Sequence, residues 1–366
     1  MPALFVTELN RSGMRLLIRM MNAHPEIEFA LQTDELPNIL WSAAEAVLGS
    51  ELKRSQALTP SNLKAVENAH LETLQYRDSH ITGPERSDGF SQELPNDIEG
   101  AEYGDTYQEL FSKLLDRLRT TDAPWLGINQ NHIIEFIPTL ARTYTRAKFI
   151  VAIRDPRGVI DSAQNRNGGT SDDAMGLDAV YLRWRKYVSL AQRWIDLLGD
   201  RVKVVKYETL VTSPEQSMRD LCAHMDLPYD PAMIDADGFT DPETGAGPRN
   251  QPAERTGIFS GRVNQWKETI SPAALELVEF MCGHEMQALG YELMDSLQPT
   301  MSSRAYQLLK THREDATPGF MERELLRKHL ILYPEAYCPR ETLDKLFLHP
   351  KIRTERRLLA GSVLGE

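Results

Sequence analysis

The alternation of apolar and polar positions divides the first 291 residues into strands and helices in turn. Residues 3–7 (ALFVT), apolar without a break from Ala3 to Val6, read as a strand buried on both faces. Arg15 to Ala23 repeats apolar residues at three- and four-residue spacing, which predicts a helix. A second helical pattern runs from about Leu36 to Leu74 with a restart at Thr59-Pro60-Ser61, and another covers Tyr107 to Arg119. Trp125–Ile128 and Lys148–Ile153 read as buried strands on either side of a helix over Ile133–Tyr144. Further on, Leu177–Leu198 is an amphipathic helix, Val202–Lys206 a strand, and Pro214–Met225 and Pro272–Leu289 helices. Alternation of this kind predicts an α/β fold of three layers around a central parallel sheet.

Two stretches break the periodicity. Residues 78–105 and 235–255 are dominated by Gly, Pro, Asp and Glu and read as loops, the first of them mobile. Beyond Pro299 the chain turns basic and helical, which suggests a core domain over 1–298 and a helical C-terminal extension over 299–366.

Composition narrows the classes. A chain of 366 residues that is 41% apolar can bury an enzyme-sized core. The formal net charge of −12 argues against nucleic acid or a polyanionic glycan as the main partner. The three cysteines, Cys222, Cys282 and Cys338, lack metal-ligand or disulfide spacing. No signal-peptide pattern and no 18-residue apolar run occurs, so the expectation is a cytoplasmic protein without a membrane span.

Candidate chemistry lies where strands turn into helices. Between the first strand and helix stands Glu8-Leu9-Asn10-Arg11-Ser12-Gly13-Met14-Arg15. It is not a Walker A loop, because Glu8 stands where the first glycine belongs and Met14-Arg15 where Lys-Ser/Thr would follow Gly13. An Arg-Ser-Gly turn before a helix can still cradle a phosphate through guanidinium, hydroxyl and backbone N–H groups. The competing reading is a plain loop with a surface arginine. After the strand 148–153 comes Arg154-Asp155-Pro156-Arg157, with Ser162 eight residues beyond Arg154. With a helix starting at Pro156, Arg154 and Ser162 could meet on one phosphate; otherwise Asp155-Pro156 simply starts a helix.

Over roughly residues 3–291 these motifs resemble the sulfotransferases that use 3′-phosphoadenosine 5′-phosphosulfate (PAPS). Arg11-Ser12-Gly13-Met14-Arg15 followed by His24-Pro25-Glu26-Ile27 looks like the family's 5′-phosphosulfate loop, and Arg154 with Ser162 like its 3′-phosphate motif. Tyr207-Glu208-Thr209-Leu210 is similar to an element whose tyrosine lies near the adenine, and Gly261-Arg262 with Trp266 and Leu289-Gly290-Tyr291 to a late signature covering the 3′-phosphate. The resemblance implies sulfuryl transfer to a hydroxyl or amine of a small-molecule acceptor, with 3′-phosphoadenosine 5′-phosphate (PAP) as product and no metal. Arg11, Arg15, Arg154 and Arg262 would offset the cofactor's charge.

It also suggests His132 as general base. Cytosolic members carry a Lys-Thr-His segment whose histidine precedes the 3′-phosphate arginine by 22 residues, the separation of His132 from Arg154. Protein-tyrosine sulfotransferases carry a catalytic Glu 21 residues beyond the loop arginine, where this chain has Gln32; Asp34 and Glu35 are the rival bases nearby. Three further departures stand out: Met14 replaces a threonine, Leu16 a tryptophan, and Gln130-Asn131 the Lys-Thr pair. Met14, Gln32 and Gln130 motivate a second reading, a PAP- or PAPS-binding regulatory protein of the same fold. A P-loop kinase is a third, opposed by the missing Lys-Ser/Thr.

Overall fold

The computed structural model describes residues 3–29, 119, 121–131, 133–164, 177–235, 258–295 and 300–308. The strands are β1 (Ala3–Glu8), β2 (Ile27–Phe29), β3 (Trp125–Asn129), β4 (Lys148–Ile153) and β5 (Val202–Lys206). The helices used below are α1 (Met14–Asn22), α2 (Ile133–Thr143), α3 (Pro156–Gln164), α4 (Leu177–Leu198), α5 (Tyr207–Thr212), α6 (Pro214–His224), α7 (Trp266–Thr269) and α8 (Pro272–Ala288).

All four strand pairings are parallel, in the order β2-β3-β1-β4-β5. Every residue of β1 is buried, because helices cover both faces of a central parallel strand. Its side chains alternate between two cores. Ala3 and Phe5 join Leu126, Ile128, Phe149 and Val151 under α2, α3, α4 and α8, while Leu4 and Val6 join Ile150, Ala152 and Val205 under α1 and α6. The expected three-layer arrangement is the one observed.

The strands on either side of α2 are parallel as expected but not adjacent: β1 lies between β3 and β4. That insertion makes β1 the point where strand order changes direction. In open parallel sheets the crevice at such a point, beyond the carboxyl ends of the strands, is where ligands bind. The segments leaving β1, β4 and β5 therefore carry the candidate site. The expected helix at 36–74, that at 107–119 except for its last residue, the 78–105 loop, most of the 235–255 loop and all of the extension beyond 308 lie outside the described residues.

Candidate functional site

The loop from β1 to α1 turns on two left-handed residues, Arg11 (φ 79°) and Gly13 (φ 93°). Gly13 is required twice over: its φ disfavours a side chain, and a Cβ there would lie 2.5 Å from Cδ2 of Tyr207. Ser12 N–H donates to the Leu9 carbonyl (3.1 Å), and Leu17 N–H to that of Gly13 (3.1 Å), closing the first turn of α1. The Ser12 side chain is 1% exposed, and its Oγ has no hydrogen-bond partner. Such a group is uncommon in a finished interior and marks a place for a missing partner.

Met14 contributes little beyond its backbone. Its side chain packs into the apolar core beneath α1, so the residue standing in for threonine turns inward. Its N–H is taken by Glu8, whose Oε2 accepts at 2.6 Å. Arg15 is exposed and Arg11 half-buried at the rim. Burial raises the Glu8 carboxyl to about 8, although the Met14 N–H and the charges of Arg15, Arg11 and Arg154 pull the other way.

Arg154 reaches this loop from the end of β4. Its Nη1 donates to the Arg11 carbonyl (3.2 Å) and its Nη2 to the Arg262 carbonyl (3.3 Å), while its guanidinium lies 4.4 Å from the centroid of the Tyr207 ring. Its Nε is buried without a partner. Arg154 thus joins the β1 loop, the start of α5 and the turn at 261–262. The Arg262 side chain is exposed, so its contact with Arg154 runs through the backbone; the space around Gly261 is open. Ser162 sits half-buried on α3. His132, Asp34 and Glu35 lie outside the described residues. Asn131, immediately before His132, meets the loop: its side chain donates to Asn10 Oδ1, and its carbonyl accepts from Thr7 Oγ1 (2.8 Å) and from Tyr187 OH.

Sequence reasoning missed the supports of this arrangement. Arg157, read only as part of a motif, is 3% exposed and held by Asp155 (Nη2 to Oδ2, 2.6 Å) and Glu279 (Nη1 to Oε1, 2.6 Å), with its guanidinium 4.0 Å from the Trp266 ring centroid. Glu208 accepts from Asp155 N–H (2.9 Å) and from Tyr291 OH (3.0 Å), tying β4, α5 and the Leu-Gly-Tyr segment together. Burial raises the Glu208 carboxyl despite these donors. His24 is structural: its Nδ1 accepts from Glu26 N–H (3.1 Å), and its Nε2–H donates to the Pro228 carbonyl (2.9 Å).

The donors left open suit an anion: a buried hydroxyl and a guanidinium N–H at a helix N-terminus, with Arg11 and Arg15 at the rim. No group of three or more metal-ligating side chains occurs among the described residues. The model of the sulfotransferase family ("Sulfotransferase family") matches residues 2–231. The chain belongs to the sulfotransferase family. A protein-tyrosine sulfotransferase of Drosophila melanogaster is 25% identical over 247 residues, 67% of this chain and 42% of its own length. Protein-tyrosine sulfotransferase A of Caenorhabditis elegans is 23% identical over 235 residues, 64% of this chain and 52% of its own. The chain thus spans about half the length of these curated sulfotransferase relatives. Among solved structures, the sulfotransferase domain of the Synechococcus PCC 7002 olefin synthase superposes with a TM-score of 0.53 at 20% identity, covering 80% of this chain and 95% of that one. The sulfotransferase domain from the curacin biosynthetic pathway gives 0.51 at 19% identity, covering 80% and 99%. These likenesses establish the sulfotransferase fold. Among the described residues, no helix is long and apolar enough to cross a membrane.

Proposed function

We propose that this chain transfers a sulfuryl group from PAPS to an acceptor hydroxyl. The observation that carries the reading is the meeting of the β1 loop with Arg154 at the switch point of the sheet, where Ser12 Oγ and Arg154 Nε are buried without partners. PAPS supplies the chemistry, an activated sulfuryl group on a phosphate that leaves as PAP.

In this reading Arg11, Ser12, Gly13 and Arg15 hold the 5′-phosphosulfate end through charge, hydroxyl and backbone donors, while the Met14 N–H stays with Glu8. Arg154 and Ser162, with the Gly261-Arg262 turn, hold the 3′-phosphate, and Tyr207 forms the wall beside Gly13. Arg154 already braces the loop through the Arg11 carbonyl, so one side chain would couple the two ends of the nucleotide. His132 takes the acceptor's proton; an imidazole titrates near neutrality, and its neighbour Asn131 is bonded to the loop at Asn10. Asp34 and Glu35 are the alternative bases.

The acceptor class draws on the relatives. Two that act on protein tyrosine favour a phenolic hydroxyl over the small molecule expected from sequence. The test is incubation with PAPS and two acceptor sets, tyrosine-containing peptides and small phenols and alcohols, with mass spectrometry for the added sulfuryl group and for PAP. Sulfated peptide supports the phenolic assignment, and sulfated small alcohols alone return the acceptor to the small-molecule class. PAP binding without transfer to either set would favour the regulatory reading.

A further inference from the structure

The N-terminus of α1 lacks a cap of the usual kind. Gly13 occupies the N-cap position and has no side chain to offer. The cap comes instead from the last residue of β1: Glu8, 7% exposed, puts Oε2 2.6 Å from Met14 N. A carboxyl therefore occupies ground that a helix N-terminus offers to an anion. A second feature marks the same ground as awaiting a ligand, since Ser12 Oγ is buried in this loop with no partner.

The groups around Glu8 come from every side. Arg11 and Arg15 act on it from the loop and α1, and Arg154 from the end of β4. From α4 comes Tyr187, whose hydroxyl is affected by Glu8 and whose pKa burial pushes up. From beyond the end of β3 the uncharged Asn131 donates to Asn10 of the same loop. Burial outweighs the three arginines and brings the carboxyl to about 8.

We propose that Glu8 makes nucleotide binding proton-coupled: as a neutral acid it admits the 5′-phosphate end beside it, and as a carboxylate it repels it. The inference rests on the reading of this loop as the phosphosulfate site. An ionised carboxylate only accepts hydrogen bonds, whereas the acid adds an O–H donor, so protonation turns a repelling neighbour into a binding one. The proton comes from solvent, one for each ionised Glu8 that receives the nucleotide. The sign follows. Below about pH 8 the carboxyl is already neutral and binding requires no proton; above it, affinity falls by up to tenfold per pH unit. The nucleotide's phosphates finish ionising near pH 6 and lie below this range. Lys186, beside Tyr187 on α4, titrates at about 7, and its transition would survive removal of Glu8.

The test uses the full chain and PAP. Calorimetric titrations between about pH 7 and about pH 9.5, in paired buffers of different ionisation enthalpy, give affinity and protons taken up in one experiment. The expected result is uptake rising toward one proton above about pH 8, with a matching loss of affinity. Glu8→Gln keeps an acceptor for the Met14 N–H; it should abolish the uptake, flatten the profile and bind PAP about tenfold more tightly than the wild type one pH unit above the transition. A wild-type profile without uptake or slope overturns the inference and leaves the nucleotide site intact, as does a wild-type slope retained by Glu8→Gln. If that variant does not fold, the wild-type proton count decides alone. A wild type that binds no PAP at any pH overturns the site reading and the inference with it.

Discussion

Replacing Arg157 with methionine should unfold the core before it touches the chemistry. The guanidinium is buried between two carboxylates whose side chains are 7% and 8% exposed, Asp155 and Glu279. Burial works against its charge, and the two acids outweigh this and raise its pKa. Asp155 also accepts from Arg157 N–H (2.9 Å) at the start of α3, and Glu279 from Met294 N–H (2.9 Å). Methionine keeps most of the volume but loses the guanidinium over the Trp266 ring and leaves two carboxylates facing each other without a counter-charge. Breaking a buried pair in this way costs about 3–5 kcal/mol, and the lost contact with the Trp266 ring adds roughly 1 kcal/mol. At roughly 2–4 °C per kcal/mol, the melting temperature should drop by roughly 8–24 °C. Thermal unfolding followed by circular dichroism measures it, and Arg157→Met combined with Glu279→Gln should recover part of the loss, because one orphaned charge is gone. A melting temperature within about 2 °C of wild type would refute the argument that this arginine holds β4, α7 and α8 together.

His132→Ala should lower turnover by ~10²–10⁴-fold and leave PAP affinity nearly unchanged, whereas Asp34→Asn or Glu35→Gln should matter only if a carboxylate is the base; initial rates and calorimetry on the same preparations separate the two. Lys186 is buried, and burial lowers its pKa to about 7, so between that value and its ordinary 10.5 the folded chain binds fewer protons than the unfolded one and stability from this group rises with pH. Lys186→Met should therefore stabilise most at and below about pH 7, with the advantage shrinking by about 1.4 kcal/mol per pH unit above it; denaturant melts across pH that show a constant difference would contradict this.

The strands were legible because burial on both faces leaves unbroken apolar runs, as at Ala3–Val6 and Phe149–Ile153. Helix α4 was legible from its amphipathic repeat over 22 residues. The three-residue strand β2 was not, since Ile27–Phe29 is too short to show a period. Of the site, the loop residues and Arg154 could be singled out by motif, but not what Arg154 does. Its bonds to the Arg11 and Arg262 carbonyls join positions 143 and 108 residues apart, a distance over which one sequence carries no pairing signal. The same holds for Arg157 with Glu279 and for Glu208 with Tyr291. Glu8 was noticed only as a residue spoiling a glycine motif. A glutamate closing a buried strand was the available clue, since a charge is rarely buried without a task.

The central claim, that the loop after β1 and Arg154 form a site for a nucleotide carrying a 3′-phosphate, is tested most directly by calorimetric titration of the full chain with PAP and with AMP under one set of conditions. PAP should bind more tightly by roughly 10–100-fold, the equivalent of about one charged hydrogen bond, and Arg154→Ala should erase the difference. Equal affinities of the wild type for the two nucleotides would contradict it.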